Sequence, residues 1–233
     1  MKCNLKRTVL STLLALTSLG SLMAQDEVTV DFEGELVSSY IWRGQEIDGI
    51  SMQPSLAVGY KGFTLGAWGS MGLENFREVD LSLSYNTGGL TLSFNDYWCF
   101  YEDEPTKYLN YNTNSTGHTF DFDVCYDFGP LAISWSTVFA GADIKENGER
   151  AYSSYVNVSA PFSLGGMDWT AGIGATPWKT NYYENTNGFS VCEVSLRVDK
   201  EVKITDQFGI SAFGQIICNP ATENVFFVCG LAF

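Results

Sequence analysis

Residues 78–86 read "EVDLSLSYN", with Val79, Leu81, Leu83 and Tyr85 in one row and Glu78, Asp80, Ser82 and Ser84 in the other. Successive side chains of a strand point to opposite faces, so this strict period of two puts apolar groups on one side and acids and hydroxyls on the other. A helix would scatter both sets around its axis. The segment predicts a strand with one face for grease and one for water.

The same period extends outward in both directions. Upstream, Val28, Val30, Phe32, Leu36, Tyr40 and Trp42 oppose Thr29, Asp31, Glu33, Glu35, Ser39 and Arg43, so one strand is expected from Val28 to Arg43. Two more follow over 50–60 and 63–68, the first interrupted by Pro54, which suggests a bulge. Downstream, alternating runs occupy 90–101, 118–128, 131–139, 151–162, 167–176, 189–198, 207–217 and 224–233. The total is about twelve strands. Asp96 falls on the apolar row after Phe94, and a bulge that resets the phase before Trp98 is the expected remedy.

Connections alternate in kind. Those after the even strands are mostly tight and glycine-containing ("YKGF", "NTGG", "FGPL", "SLGG"), whereas "YEDEPTKYLNYNTNSTG", "GADIKENGER" and "PWKTNYYENTNG" after odd strands are long and polar. An even strand number with short periplasmic turns and long extracellular loops is the pattern of an all-β, transmembrane, antiparallel up-and-down β-barrel. Closure is its physical cause, because every backbone donor and acceptor in hydrocarbon needs a partner and a sheet supplies the last ones only by joining its edges. A soluble β-sandwich also alternates, but it buries its apolar rows between sheets and does not require loops sorted by length.

Residues 1–24 carry a basic start (Lys2, Lys6, Arg7), an apolar run over Val9 to Leu19 and small residues before Gln25. This is the layout of a cleaved secretory signal peptide, leaving 25–233 as one barrel domain bound for the bacterial outer membrane. Removing the signal takes three of 13 bases and none of 27 acids, so the mature charge is −17. Such a chain repels nucleic acid. No later stretch is apolar for long enough to cross a membrane as a helix. Cys99, Cys125, Cys192, Cys218 and Cys229 are odd in number and scattered, which suits small apolar fillers better than a disulfide framework.

Parity sends Asp31, Glu33, Glu35, Glu78, Asp80, Asp121, Asp123, Asp127, Asp168 and Glu193 into the lumen, with Arg43 and Arg197 as the bases among them. An acidic lining favours passage of cationic or neutral polar solutes. Trp68, Tyr97 and Phe213 share the inward row and narrow the bore. Tyr40, Trp42, Trp98 and Trp135 are expected at the lipid interface, where amphipathic rings are favoured.

The stretch from Leu36 to Ser70 resembles the opening hairpins of the TorF family of outer-membrane porins, on the residues Tyr40, Trp42, Arg43, Gly44, Pro54, Gly62, Gly66, Trp68, Gly69 and Ser70. The resemblance implies a barrel of undefined solute and covers this stretch rather than the whole chain. The closing "VFFVCGLAF", with Phe227, Leu231 and Phe233 on one row, looks like the signal that barrel-assembly machinery reads.

Two other readings compete with a porin. One is a closed barrel that binds a partner, or supports the envelope, through its long loops. The other is a barrel hydrolase, which needs a general base, and His118 is the chain's one histidine. Asp31, Glu33 and Glu35 form a rail about 7 Å in step rather than a metal cage, and Asp143, Glu146 and Glu149 suit a solvated loop better than a cation site. No cofactor and no catalytic residue is expected.

Overall fold

The computed structural model describes residues 27–73, 75–101, 107–112, 115–180, 182–183, 186–205 and 209–233; the signal peptide expected over 1–24 lies outside them. In chain order the strands are β1 (Thr29–Val37), β2 (Tyr40–Trp42), β3 (Gln45–Asp48), β4 (Ser51–Tyr60), β5 (Phe63–Gly72), β6 (Phe76–Thr87) and β7 (Leu90–Tyr101). Then come β8 (His118–Asp127), β9 (Ala132–Gly141), β10 (Ser154–Leu164), β11 (Met167–Thr176), β12 (Ser190–Lys203), β13 (Gly209–Asn219) and β14 (Asn224–Ala232). Strands β2 and β3 pair with each other, and the other twelve close into one antiparallel up-and-down barrel. Among the described residues there is no helix.

Register shows why alternation produces a wall with two faces. Leu65 lies opposite Leu83, Leu83 opposite Phe94 and Phe94 opposite Phe122, so one apolar row runs from strand to strand around the outside. Phe32 is 70% exposed and Phe227 74%, while inward Asp80 and Asp121 are 1% and 0% exposed. This inverts the order of a soluble protein. Contact of that girdle with water costs about 25 cal/mol per Å² of apolar surface, which hydrocarbon removes.

The first strand differs from its expected course. β1 stops at Val37, opposite Ser51, and the next run, Tyr40, Ile41 and Trp42, is buried at every position. Three consecutive buried side chains belong to a strand covered on both faces, where alternation no longer sorts inside from outside. Arg43 and Gly44 then turn the chain with φ of 50° and 78°, the two positive values that a two-residue hairpin turn demands, and Trp42 pairs with Gln45 across it.

The bulges expected at Asp96 and Pro54 are not formed. The ladders of β7 with β6 and β8 run through Asp96 without a shift, so its carboxylate stays on the outward row. Across Pro54, Met52 pairs with Met71 and Ser55 with Trp68 in one register; proline's missing N–H interrupts the ladder without displacing it. Register does shift at Phe120/Asp121 against β9 and at Gly174/Ala175 against β12, near the long-loop end.

Candidate functional site

The β2–β3 hairpin is an insertion in the β1–β4 connection, and it folds into the lumen. Tyr40 packs on Trp68 of β5 (ring centroids 5.5 Å apart) and Phe76 of β6 (6.4 Å). Ile41 joins Val37, Phe213, Ile217 and Val228 in an apolar cluster on the other side. Trp42 meets Tyr97 of β7 at 6.3 Å and stacks on Tyr183, from the connection between β11 and β12, at 5.9 Å. The Asn219 side-chain amide donates to the Gly44 carbonyl oxygen at 2.9 Å. The hairpin therefore touches the wall on several sides and lies across the bore.

At its tip Arg43 reaches the far wall. In the closed barrel order β8 stands four strands from β4 and five from β1, so a contact with β8 spans the lumen. Arg43 Nη2 donates to Asp121 Oδ2 at 2.9 Å and lies 3.6 Å from Asp123 Oδ1, and Nη1 donates to the Tyr183 hydroxyl at 2.6 Å. Its guanidinium carbon sits 4.5 Å from the Trp42 ring centroid and 5.1 Å from that of Tyr155. Burial pushes the Tyr183 phenol up, against the pull of Arg43, so it meets the guanidinium as a neutral hydroxyl. A desolvated guanidinium between a carboxylate and ring faces is stabilised, each cation–π contact contributing up to about 2 kcal/mol.

Acids surround this latch beyond what Arg43 matches. Asn95 Nδ2 donates to Asp123 Oδ2 at 2.7 Å, and the Tyr155 hydroxyl donates to Glu193 Oε2 at 2.8 Å. Glu78 Oε1 accepts a weak bond from Cys99 Sγ at 3.2 Å. Neither Asp80 oxygen has a side-chain hydrogen-bond donor, and the Trp98 backbone amide is its polar neighbour. Asn95 Oδ1 and the Tyr97 hydroxyl are buried and unmatched too.

On the β12–β13 wall, Arg197 lies 3.0 Å from both Asp199 oxygens through Nε and 3.7 Å from Glu35, its guanidinium 3.6 Å from the Phe213 centroid. Asp31 and Asp168 are exposed and Glu33 and Asp127 half-exposed, near the short-turn end; Asp168 accepts from Ser163 and Asp127 from the Gly129 amide. The acids thus sort along the axis, solvated at the short-turn end and buried beneath the hairpin.

The four aromatic residues expected at the lipid interface divide. Tyr40 and Trp42 are 7% and 6% exposed inside the lumen, because the hairpin turns inward, and are not at the interface. Trp98 is outward but 8% exposed, covered by Tyr108 at 5.2 Å and Phe100 at 4.3 Å. Trp135 is outward and 41% exposed, beside Trp178. Phe227, Leu231 and Phe233 line the exposed row of β14 and its end.

His118 lies on the outside of the wall, fully buried under Tyr108 and Tyr111. Its Nδ1 is 2.7 Å from Asp96 Oδ1 and its Nε2 2.6 Å from the Tyr108 carbonyl oxygen. With both ring nitrogens engaged, none is left to serve a nucleophile as base. The misplaced Asp96 is explained by the same pair. In the 142–153 loop, Asp143 accepts from the Ser153 amide and hydroxyl, both at 2.8 Å, and organises the loop; among the described residues no acidic or cysteine group converges as a metal site. Among the described residues, Cys99, Cys125, Cys192, Cys218 and Cys229 are free.

Parity could have found Asn95 and Tyr155, which sit on inward rows, but Tyr183 and Asn219 carry no local signal of their part in seating the hairpin.

No family model matches the chain, and no curated protein sequence matches it. Among solved structures it is similar to one from a study of the in-meso crystallisation of membrane proteins, at 9% identity and TM-score 0.43 over 89% of this chain and 83% of that one. It is also similar to an outer membrane channel from Pseudomonas putida F1, at 14% identity and TM-score 0.38 over 88% and 92%.

Proposed function

We propose that this chain is an outer-membrane β-barrel of the porin type, related to the TorF family through Leu36 to Ser70, which passes small cationic or neutral polar solutes through an acid-lined lumen. The observation that carries the reading is a closed sheet with an apolar exposed exterior and carboxylates along its inward rows, Glu78, Asp80, Asp121, Glu193 and Asp199 buried among them. Export would use the 1–24 segment, and insertion would use barrel-assembly machinery acting on the β14 row that contains Phe227, Leu231 and Phe233. Lipid surrounds the girdle and the solute meets the acids.

The hairpin across the bore favours a second reading, a barrel closed at rest that works through its long loops. Planar-bilayer recording in a potassium chloride gradient separates the two. A reversal potential on the cation side supports the porin, and an anion preference overturns the acidic-lumen reading. Absence of conductance even after the hairpin is removed supports the closed barrel.

A further inference from the structure

The acids beneath the hairpin are too many and too widely spread for Arg43. Its guanidinium donates to Asp121 and lies within ion-pair distance of Asp123, both on β8. Asp80 on β6, 1% exposed, is left with no side-chain donor to either oxygen. Tyr97 of β7 stands between the two ends, paired across the ladder with Asp80 while its neighbour Asn95 pairs with Asp121. Two strand spacings separate the ends, roughly 10 Å of wall. Between them the groups without a hydrogen-bond partner are Asn95 Oδ1 and the Tyr97 hydroxyl, both on β7. A buried acceptor without a donor forfeits its hydration with nothing in return, so this surface is stabilised by any ligand that brings N–H groups to both ends.

Geometry narrows the ligand. A single metal ion is a poor match, because the carboxylates are strung along the wall and no set of three converges among the described residues. At one end the resident group is itself a guanidinium, held by a carboxylate, a phenol and ring faces. At the other stands a bare carboxylate beside Glu78. We infer that the inner wall of β6, β7 and β8 is a binding site for extended organic dications, a guanidinium at Asp121 and Asp123 and an ammonium at Asp80, and that the β2–β3 hairpin is its tethered competitor, with Arg43 occupying the guanidinium half.

The hairpin is suited to this part because its strands pair only with each other, so it leaves the wall without breaking a barrel ladder. A dication that fills both halves displaces it and clears the bore. This inference rests on the porin reading for its consequence but not for its test, because binding can be measured without flux.

The full chain in detergent would be titrated calorimetrically with agmatine, methylguanidinium and potassium. Agmatine is expected to bind at least about tenfold more tightly than methylguanidinium, and Asp80→Asn should erase that advantage while leaving methylguanidinium unchanged. Arg43→Gln should tighten both organic cations by about tenfold or more, since removing an internal competitor raises the fraction of competent sites. Should that variant fail to fold, Asn219→Ala loosens the hairpin through Gly44 without touching a carboxylate, and a smaller shift in the same direction is expected. Equal binding of agmatine and methylguanidinium, or affinity that falls or stays fixed in both hairpin variants, overturns the inference. Binding that behaves as expected in a barrel without conductance overturns the porin reading and leaves the site standing.

Discussion

A methyl group added at Gly44 would overlap the Cys192 carbonyl oxygen, on a backbone whose positive φ already disfavours a side chain by about 1 kcal/mol. The wall backbone cannot yield without breaking a ladder, so the hairpin must. Gly44→Ala is expected to unseat the hairpin and leave the barrel intact, seen as at least about tenfold more open time in single-channel records, the effect of about 1.4 kcal/mol. His118→Ala acts outside the wall, where it strips Asp96 and the Tyr108 carbonyl of a shared partner. Faster proteolysis near residues 107–112 is expected, with a loss of about 1–3 kcal/mol by urea unfolding. Replacing both members, Asp96→Leu with His118→Phe, should recover most of that loss, because an apolar pair leaves no buried charge behind. Residue parity made the lumen acids legible, and it also exposed Asp96 as a misfit. What it could not supply was the partner, because His118 reads as an ordinary strand residue until the ladder sets it beside Trp98.

At the scale of elements, the hairpin and the wall are separable by construction. β1 and β4 are bonded neighbours in the barrel over nine pairs, from Thr29 with Gly59 to Val37 with Ser51. Replacing residues 39–49 with a short glycine turn should therefore leave the urea midpoint nearly unchanged while permeation rises severalfold in a liposome-swelling assay. A barrel that unfolds on this deletion would show that the hairpin props the wall. The strands were legible because their alternation is local and each buries one face. The hairpin was not, because "YIW" is buried all round and its partners come from distant strands and from a long connection. A faint trace was present in the sequence, in three consecutive apolar residues that break the period of two just before an Arg-Gly turn.

For the whole molecule, the inversion of faces makes neighbouring positions respond oppositely. Leu83 is outward and Ser82 inward on the same strand. Leu83→Arg should cost about 2–4 kcal/mol if the row lies at the midplane of the bilayer, measured by unfolding from vesicles. Ser82→Arg should cost less and lower cation preference by placing a base among the acids. Equal penalties would argue that both faces meet water. The closed topology was legible from loop lengths and strand parity; the state of the bore was not, because it is set by long-range packing that no single run encodes. The seam between β1 and β14 has a consequence in time rather than in space. Most ladders join strands adjacent in the chain, whereas here the Cys229 amide bonds Ser38 across 191 residues and Gly34 and Phe233 exchange a pair of backbone bonds. Loop-closure entropy and contact order make such a joint the slowest to form. Until it forms, two strand edges stand open, and the interval before sealing is when this chain is most exposed to aggregation.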